Sequence, residues 1–253
     1  MLTVSDTAYA IATVRAREAE LGEGERLFED PYAGIFAAAG EHAREGTERF
    51  LALPFFRDGI RLRTRHIDDV VRGSVAGGTR QLVVMGAGFD ARVLRLAEVG
   101  RHGVRAFEVD LPGVLEAKRG LLAGSGVAIP EGVHHVAADF TSGREAELTR
   151  DLVSSGFEPE RPVLFVWEGV TAYIGRESID RSLRFMATNS GPGSRVIFDF
   201  SDFLLDPDPA PERVRRAGFT AFEEVRFDEL WRRHLAGEPP PSASVVKLGI
   251  ASR

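Results

Sequence analysis

The chain has 253 residues, 43% of them hydrophobic, which is enough to bury a substantial core in one domain or in one domain with a cap. A formal net charge of -6 argues against general affinity for nucleic acid, and the lack of cysteine excludes disulfides, thiol nucleophiles and thiolate metal sites together. No basic-then-apolar leader opens it and no apolar run is long enough to span a bilayer, so a soluble, cytoplasmic protein is expected, with neither export nor membrane insertion.

Residues 1–76 read as helical. The stretch "DTAYAIATVRAREAEL" places Asp6 as an N-cap before apolar residues at helical spacing, and "RLRTRHIDDVVRGSV" repeats that pattern ahead of the break "AGG". This zone is expected to form a cap or lid, with residues 77–253 as the main domain. From residue 80 to about 200, short apolar runs alternate with helical stretches. The runs are "QLVVMG", "VRAFEVD", "VHHVAADF", "PVLFVWEG" and "SRVIFDFS"; the helices between them are "ARVLRLAEVG", "PGVLEAKRGLLAGS", "REAELTRDLVSSG" and "ESIDRSLRFMATNS". That rhythm predicts a parallel sheet with crossover helices, a doubly wound α/β domain. The last zone opens on "LLDPDPAPE", a loop by composition, and offers a short helix at "FTAFEEVRF", a second helix and the apolar "ASVVKLGIAS". An antiparallel strand pair is expected to close the sheet edge there.

In an open α/β sheet ligands bind beyond the carboxyl ends of the strands, so the loops after the strands are where function is sought. "MGAGFDAR" is the first of these loops. Gly86 and Gly88 fit a turn with unusual backbone angles that brings main chain close to a ligand, in front of a helix whose positive end faces it. Asp110 closes "FEVD" at about the twenty-residue separation expected of an acid that binds ribose hydroxyls. A plain tight turn is the bland alternative, and "GAGFDA" also satisfies the dinucleotide pattern, so spacing alone does not separate NAD from S-adenosylmethionine.

Taken together, "LVVMGAGFDARVLRL", "FEVDLPGVLEAKRGLL", "HHVAADF", "PVLFVWEGVTAYI" and "GSRVIFDFSD" resemble the leucine carboxyl methyltransferase family, and more closely its bacterial branch of natural-product and polyketide O-methyltransferases. The resemblance runs from "VSDTAYAIATVRARE" through "FEDPYA" and "RLRTRHIDD" to "FDFSD", about four fifths of the chain. It implies the class I methyltransferase fold, a Rossmann-like α/β sheet of about seven strands with one antiparallel strand near the edge, and S-adenosylmethionine as methyl donor, leaving S-adenosylhomocysteine. By the same resemblance Gly86 and Gly88 approach the methionyl part of the donor, Asp110 takes the ribose hydroxyls, and Asp139 and Phe140 flank the adenine. Glu168 then faces the methionyl ammonium, while Arg63, with Arg15 as a looser second contact, reaches the donor carboxylate. Arg63 and Tyr173 are implied as the clamp for an acceptor carboxylate. For a phenol or alcohol acceptor, His66 or Tyr173 would be the nearest base.

Structural alternatives stand beside these roles. Asp139 also suits a helix cap, Arg65 a solvated helix face, Trp167 the core, and Tyr173 a buried hydroxyl bonded to backbone. Glu168 ends an apolar strand, where an unpaired carboxylate is costly, so a ligand or an arginine partner is expected. His66, His134 and His135 have no ligand-like spacing with other acids or histidines, and no metal is expected. Between "DFSDFLLDP" and "RRAGFTAFEEV" the family carries a longer insertion over the acceptor pocket; here a short lid near 203–213 remains, so a roof from the N-terminal helices or a second subunit is implied. The expected activity is O-methylation of a small-molecule carboxylate or phenol by a monomer or homodimer. A non-catalytic cofactor-binding module is the alternative, with a NAD-dependent oxidoreductase a distant third.

Overall fold

The computed structural model describes residues 4–40, 44–53 and 55–253. Four helices come first: α1 (Val4–Arg17), α2 (Ala33–Ala39), α3 (Arg44–Leu51) and α4 (Phe56–Ala76). Strands and helices then alternate as β1 (Gln81–Met85), α5 (Arg92–Arg95), α6 (Ala97–Arg101), β2 (Arg105–Asp110), α7 (Pro112–Gly124) and β3 (Val133–Ala137). The series continues with α8 (Glu145–Ser154), β4 (Leu164–Trp167), α9 (Arg176–Thr188) and β5 (Arg195–Phe200). Last come α10 (Asp202–Leu205), α11 (Ala210–Ala217), β6 (Ala221–Arg226), α12 (Phe227–His234) and β7 (Lys247–Ser252).

The sheet has seven strands in the order β3-β2-β1-β4-β5-β7-β6. Neighbours from β3 through β5 are parallel, and β7 runs antiparallel to both β5 and β6. Side chains alternate across it: Leu82 and Val84 of β1 face one core with α4, α6 and α12, whereas Val83 and Met85 face the other with α8, α9 and α11. Both faces are covered, so β1 and β4 are buried at every residue and read as continuous apolar runs. Trp167 is 0% exposed and belongs to the core.

Several sequence expectations are corrected. Asp6 lies in the first turn of α1, which already includes Val4, so it does not cap that helix. The stretch expected as a helix, "FTAFEEVRF", holds strand β6, because pairing with β7 along its whole length outweighs a weak local preference. The segment read as a loop is one over residues 206–209, but its ends belong to helices, the close of α10 and the start of α11; α11 begins after Pro209 and stops at Gly218, whose φ of 115° is the usual left-handed terminator. Within residues 1–76, α1 packs on α2, α3 and α4, whereas Ile67, Val70, Val71 and Val75 put α4 in the layer directly on the sheet.

Candidate functional site

The carboxyl ends of β1 to β4 open onto one cavity of about 730 Å3, walled on the far side by α1. Gly86, Gly88, Asp110, Asp139, Phe140, Glu168, Arg63, Arg15 and Tyr173 all line it. Its two ends are built differently.

At the β1–β2 end the main chain dominates. Gly86 and Gly88 have φ of 72° and 45°, and a Cβ on Gly86 would stand 2.3 Å from Val170 Cγ2, so a side chain there has no room. The Gly88 N–H donates to Asp110 Oδ2 at 2.7 Å and the Leu111 N–H to Oδ1 at 2.7 Å. Burial pushes the Asp110 carboxyl above its ordinary value against the lowering effect of these two bonds. Each of its oxygens keeps acceptor capacity after one bond. Asp139 is exposed, and its Oδ1 accepts from the Thr141 hydroxyl at 2.7 Å and the Thr141 N–H at 2.8 Å, which holds its carboxyl below the usual range. That is a local Asx turn; α8 has Arg144 at its N-cap, so Asp139 does not cap it.

At the β4–β5 end charged side chains dominate. Glu168 follows β4, and Asp199 on β5 lies beside it, one step past the Trp167–Phe198 register pair. Glu168 Oε1 accepts from Arg15 at 3.0 Å and from Arg63 at 2.8 Å, while Oε2 accepts from Arg92 at 2.6 Å. Burial alone would raise the Glu168 pKa; the charges of Arg92, Arg63 and Arg15 override it and hold the carboxyl far below the carboxylate range. Arg63 also donates through Nη1 to Asp199 Oδ2 at 2.9 Å, and Asp199 Oδ1 accepts the Gly169 N–H at 2.6 Å. Arg92 is 0% exposed; beyond Glu168 it donates to Asp68 at 2.8 Å and pairs with Asp90, and Arg95 holds Asp68 in turn at 2.6 and 2.7 Å.

Tyr173, on a short 3-10 turn over Thr171–Tyr173, is 42% exposed and donates its hydroxyl to Thr7 Oγ1 of α1 at 2.8 Å, a side-chain partner rather than backbone. Partial burial raises its pKa. His66 is absent from the cavity wall: burial lowers its pKa, and its charged neighbours are Asp69, Arg233, Glu223 and His234, on α4, β6 and α12. It is therefore not placed as a base. Arg92, Asp90 and Asp199 are the residues that sequence reasoning missed. Asp199 carried a signal, an acid inside the apolar run "VIFDF" that needs a buried partner.

The model of the leucine carboxyl methyltransferase family matches residues 8–187. The chain belongs to the leucine carboxyl methyltransferase family. A Parafrankia chain classed as an S-adenosyl-L-methionine-dependent methyltransferase is 32% identical over 244 residues, covering 94% of this chain and 74% of its own length. A Saccharopolyspora erythraea relative of the same class is 34% identical over 200 residues, 78% of this chain and 67% of the relative. Among solved structures, a Thermobifida fusca chain classed as a methyltransferase superposes with a TM-score of 0.57 at 18% identity, over 99% of this chain and 94% of that one. The fold is thus that of the class I methyltransferases, and this family member is a methyltransferase that depends on S-adenosylmethionine.

The residues present fit that donor. The cavity is lined by two arginines, Arg15 and Arg63, against four carboxylates, Asp90, Asp110, Asp139 and Glu168, an excess of negative charge that suits a ligand carrying a sulfonium, an ammonium and one carboxylate. Asp110 retains acceptor sites for two hydroxyls, and Glu168 Oε2, with one partner, retains one for an ammonium.

Proposed function

We propose that this protein transfers the methyl group of S-adenosylmethionine to a carboxylate oxygen of a small-molecule acceptor, such as a natural-product intermediate. The observation that carries this reading is the lack, among the described residues lining the cavity, of a side chain suited to deprotonating a neutral acceptor. Glu168 is held ionised by three arginines, Asp90 is paired with Arg92, Asp110 and Asp139 are engaged in local hydrogen bonds at the β1–β2 end, burial raises the Tyr173 pKa, and His66 points elsewhere. The acceptor must then arrive as an anion, which a carboxylic acid already is at neutral pH and an ordinary phenol is not.

When bound, the donor supplies an activated methyl group: an acceptor oxygen lone pair forms the new O–CH3 bond as the S–CH3 bond breaks with its electrons left on sulfur, giving a methyl ester and S-adenosylhomocysteine. The chain supplies position and exclusion of water. Asp110 would hold the ribose, with Asp139 and Phe140 beside the adenine, and the Gly86–Gly88 main chain would approach the methionyl part. Arg63 uses Nε and Nη1 for Glu168 and Asp199, and its remaining N–H donors are available to anionic groups of donor or acceptor. The hydroxyl of Tyr173 adds a neutral contact at the outer end.

The test uses donor labelled in its methyl group with a panel of carboxylic acids and phenols. Label that mild alkali releases as methanol is the expected result, because esters hydrolyse where aryl ethers do not. Alkali-stable label from the phenols, with none from the acids, would overturn the proposal; donor binding with no transfer to any acceptor would favour a non-catalytic binding module.

A further inference from the structure

We infer that the acceptor is an apolar monocarboxylic acid, its carboxylate at the arginine end of the cavity and its hydrocarbon body lying along α1; the inference rests on the carboxylate reading above. Tyr9 of α1 borders the cavity at the edge of this face, and Thr7, Ala8, Ile11, Ala12 and Arg15 line it together. They fall at i, i+1, i+4, i+5 and i+8, a single stripe on one face of the helix. From Arg15 to Thr7 this stripe runs about 12 Å at the rise of an α-helix. Val170 and Ile174, on either side of the 3-10 turn, line the same cavity.

The charges of this wall are gathered at one end. Beyond Arg15 the stripe carries no charged side chain, and at its far end the Tyr173 hydroxyl is turned onto Thr7. An acceptor carboxylate that takes a remaining N–H of Arg63, beside the donor's own carboxylate, therefore projects its body past Ile11 and Ala8. A second carboxylate or an ammonium on that body would lose its water with no opposite charge along the wall to replace it. Low polarity also suits the chemistry: a carboxylate and a sulfonium react to give a neutral ester and a neutral thioether, and surroundings that solvate ions poorly favour that loss of charge.

Calorimetric titration of the whole protein with butanoate, hexanoate and octanoate, in the presence of S-adenosylhomocysteine, tests this without turnover. Octanedioate and 8-aminooctanoate, which carry their second charge at the far end of the body, serve as polar controls of equal length. The expected result is a Kd that falls about four-fold per added methylene, with both polar controls more than about tenfold weaker than octanoate. Ile11→Asp should flatten the series; should that variant not fold, the wild-type series decides alone. A flat series, no binding of octanoate, or a diacid that binds as tightly as octanoate would overturn the inference. The labelled-methyl assay separates the two readings. Alkali-labile label on a polar acid with a flat series removes only the apolar acceptor, whereas alkali-stable label from phenols alone removes both.

Discussion

The two ends of the cavity solve one task, holding a charged ligand against a sheet, by opposite means. At the β1–β2 end the contacts around Asp110 come from 26 consecutive positions, Gly86 to Leu111, and largely from main chain. At the β4–β5 end Glu168 is gripped by Arg15, Arg63 and Arg92, from α1, α4 and α5, separated from it by 153, 105 and 76 positions. The first end is a local turn that leaves acceptor capacity for a ligand. The second is a buried ion network in which ligand binding and folding share the same side chains, so damage at the two ends should differ in kind.

Arg92→Met should have the largest effect. It leaves Asp68, Asp90 and Glu168 without a shared partner in the interior, a loss of about 3–5 kcal/mol, read as a drop in Tm of roughly 10 °C and a lower urea midpoint. A drop within 2 °C would mean that the network is not structural, and the contrast between the ends would fail. Asp110→Ala should do the reverse. Losing two hydrogen bonds to a charged group weakens donor binding by at least about 100-fold in calorimetry, with a drop in Tm smaller than that of Arg92→Met.

Acidification separates the ends without mutation. The Glu168 pKa is depressed below its ordinary 4.5, so its contribution to stability is complete above that value and is lost only as pH falls beneath it. Asp110 is raised above its ordinary 3.8, so the free site takes up a proton there at higher pH. Donor affinity should thus weaken on the way down before Tm does; simultaneous loss in parallel titrations would count against separate roles. Tyr173→Phe should be the mildest change. It removes the bond to Thr7, costs about 1 kcal/mol, and should raise the acceptor KM more than it lowers kcat.

The same contrast governs what could be read from the sequence. Gly86, Gly88 and Asp110 are legible because spacing along one strand-turn-helix-strand unit encodes their geometry, and the buried strands announce themselves by unbroken apolar runs. Arg92 is not legible as a hub: in "DARVLRL" it looks like any helical arginine, and its partners Asp68 and Glu168 become neighbours only once α4 packs on the sheet. The strand β6 escaped for a related reason. Ala221, Glu223, Glu224 and Arg226 are exposed, so it lacks the apolar signature of the other strands and owes its conformation to β7.

That strand order also bears on assembly. β7 follows β6 in the chain yet sits between β6 and β5. Until β7 inserts, β5 is an open edge carrying Val196, Ile197, Phe198 and Phe200, the kind of apolar border that recruits other chains. Refolding at increasing protein concentration should therefore lose yield to aggregation at this step, and pulsed hydrogen exchange should protect amides of β1 and β4 before those of β6. A site completed early on the parallel half would then depend, for its survival to the native state, on the prompt arrival of a strand that never touches a ligand.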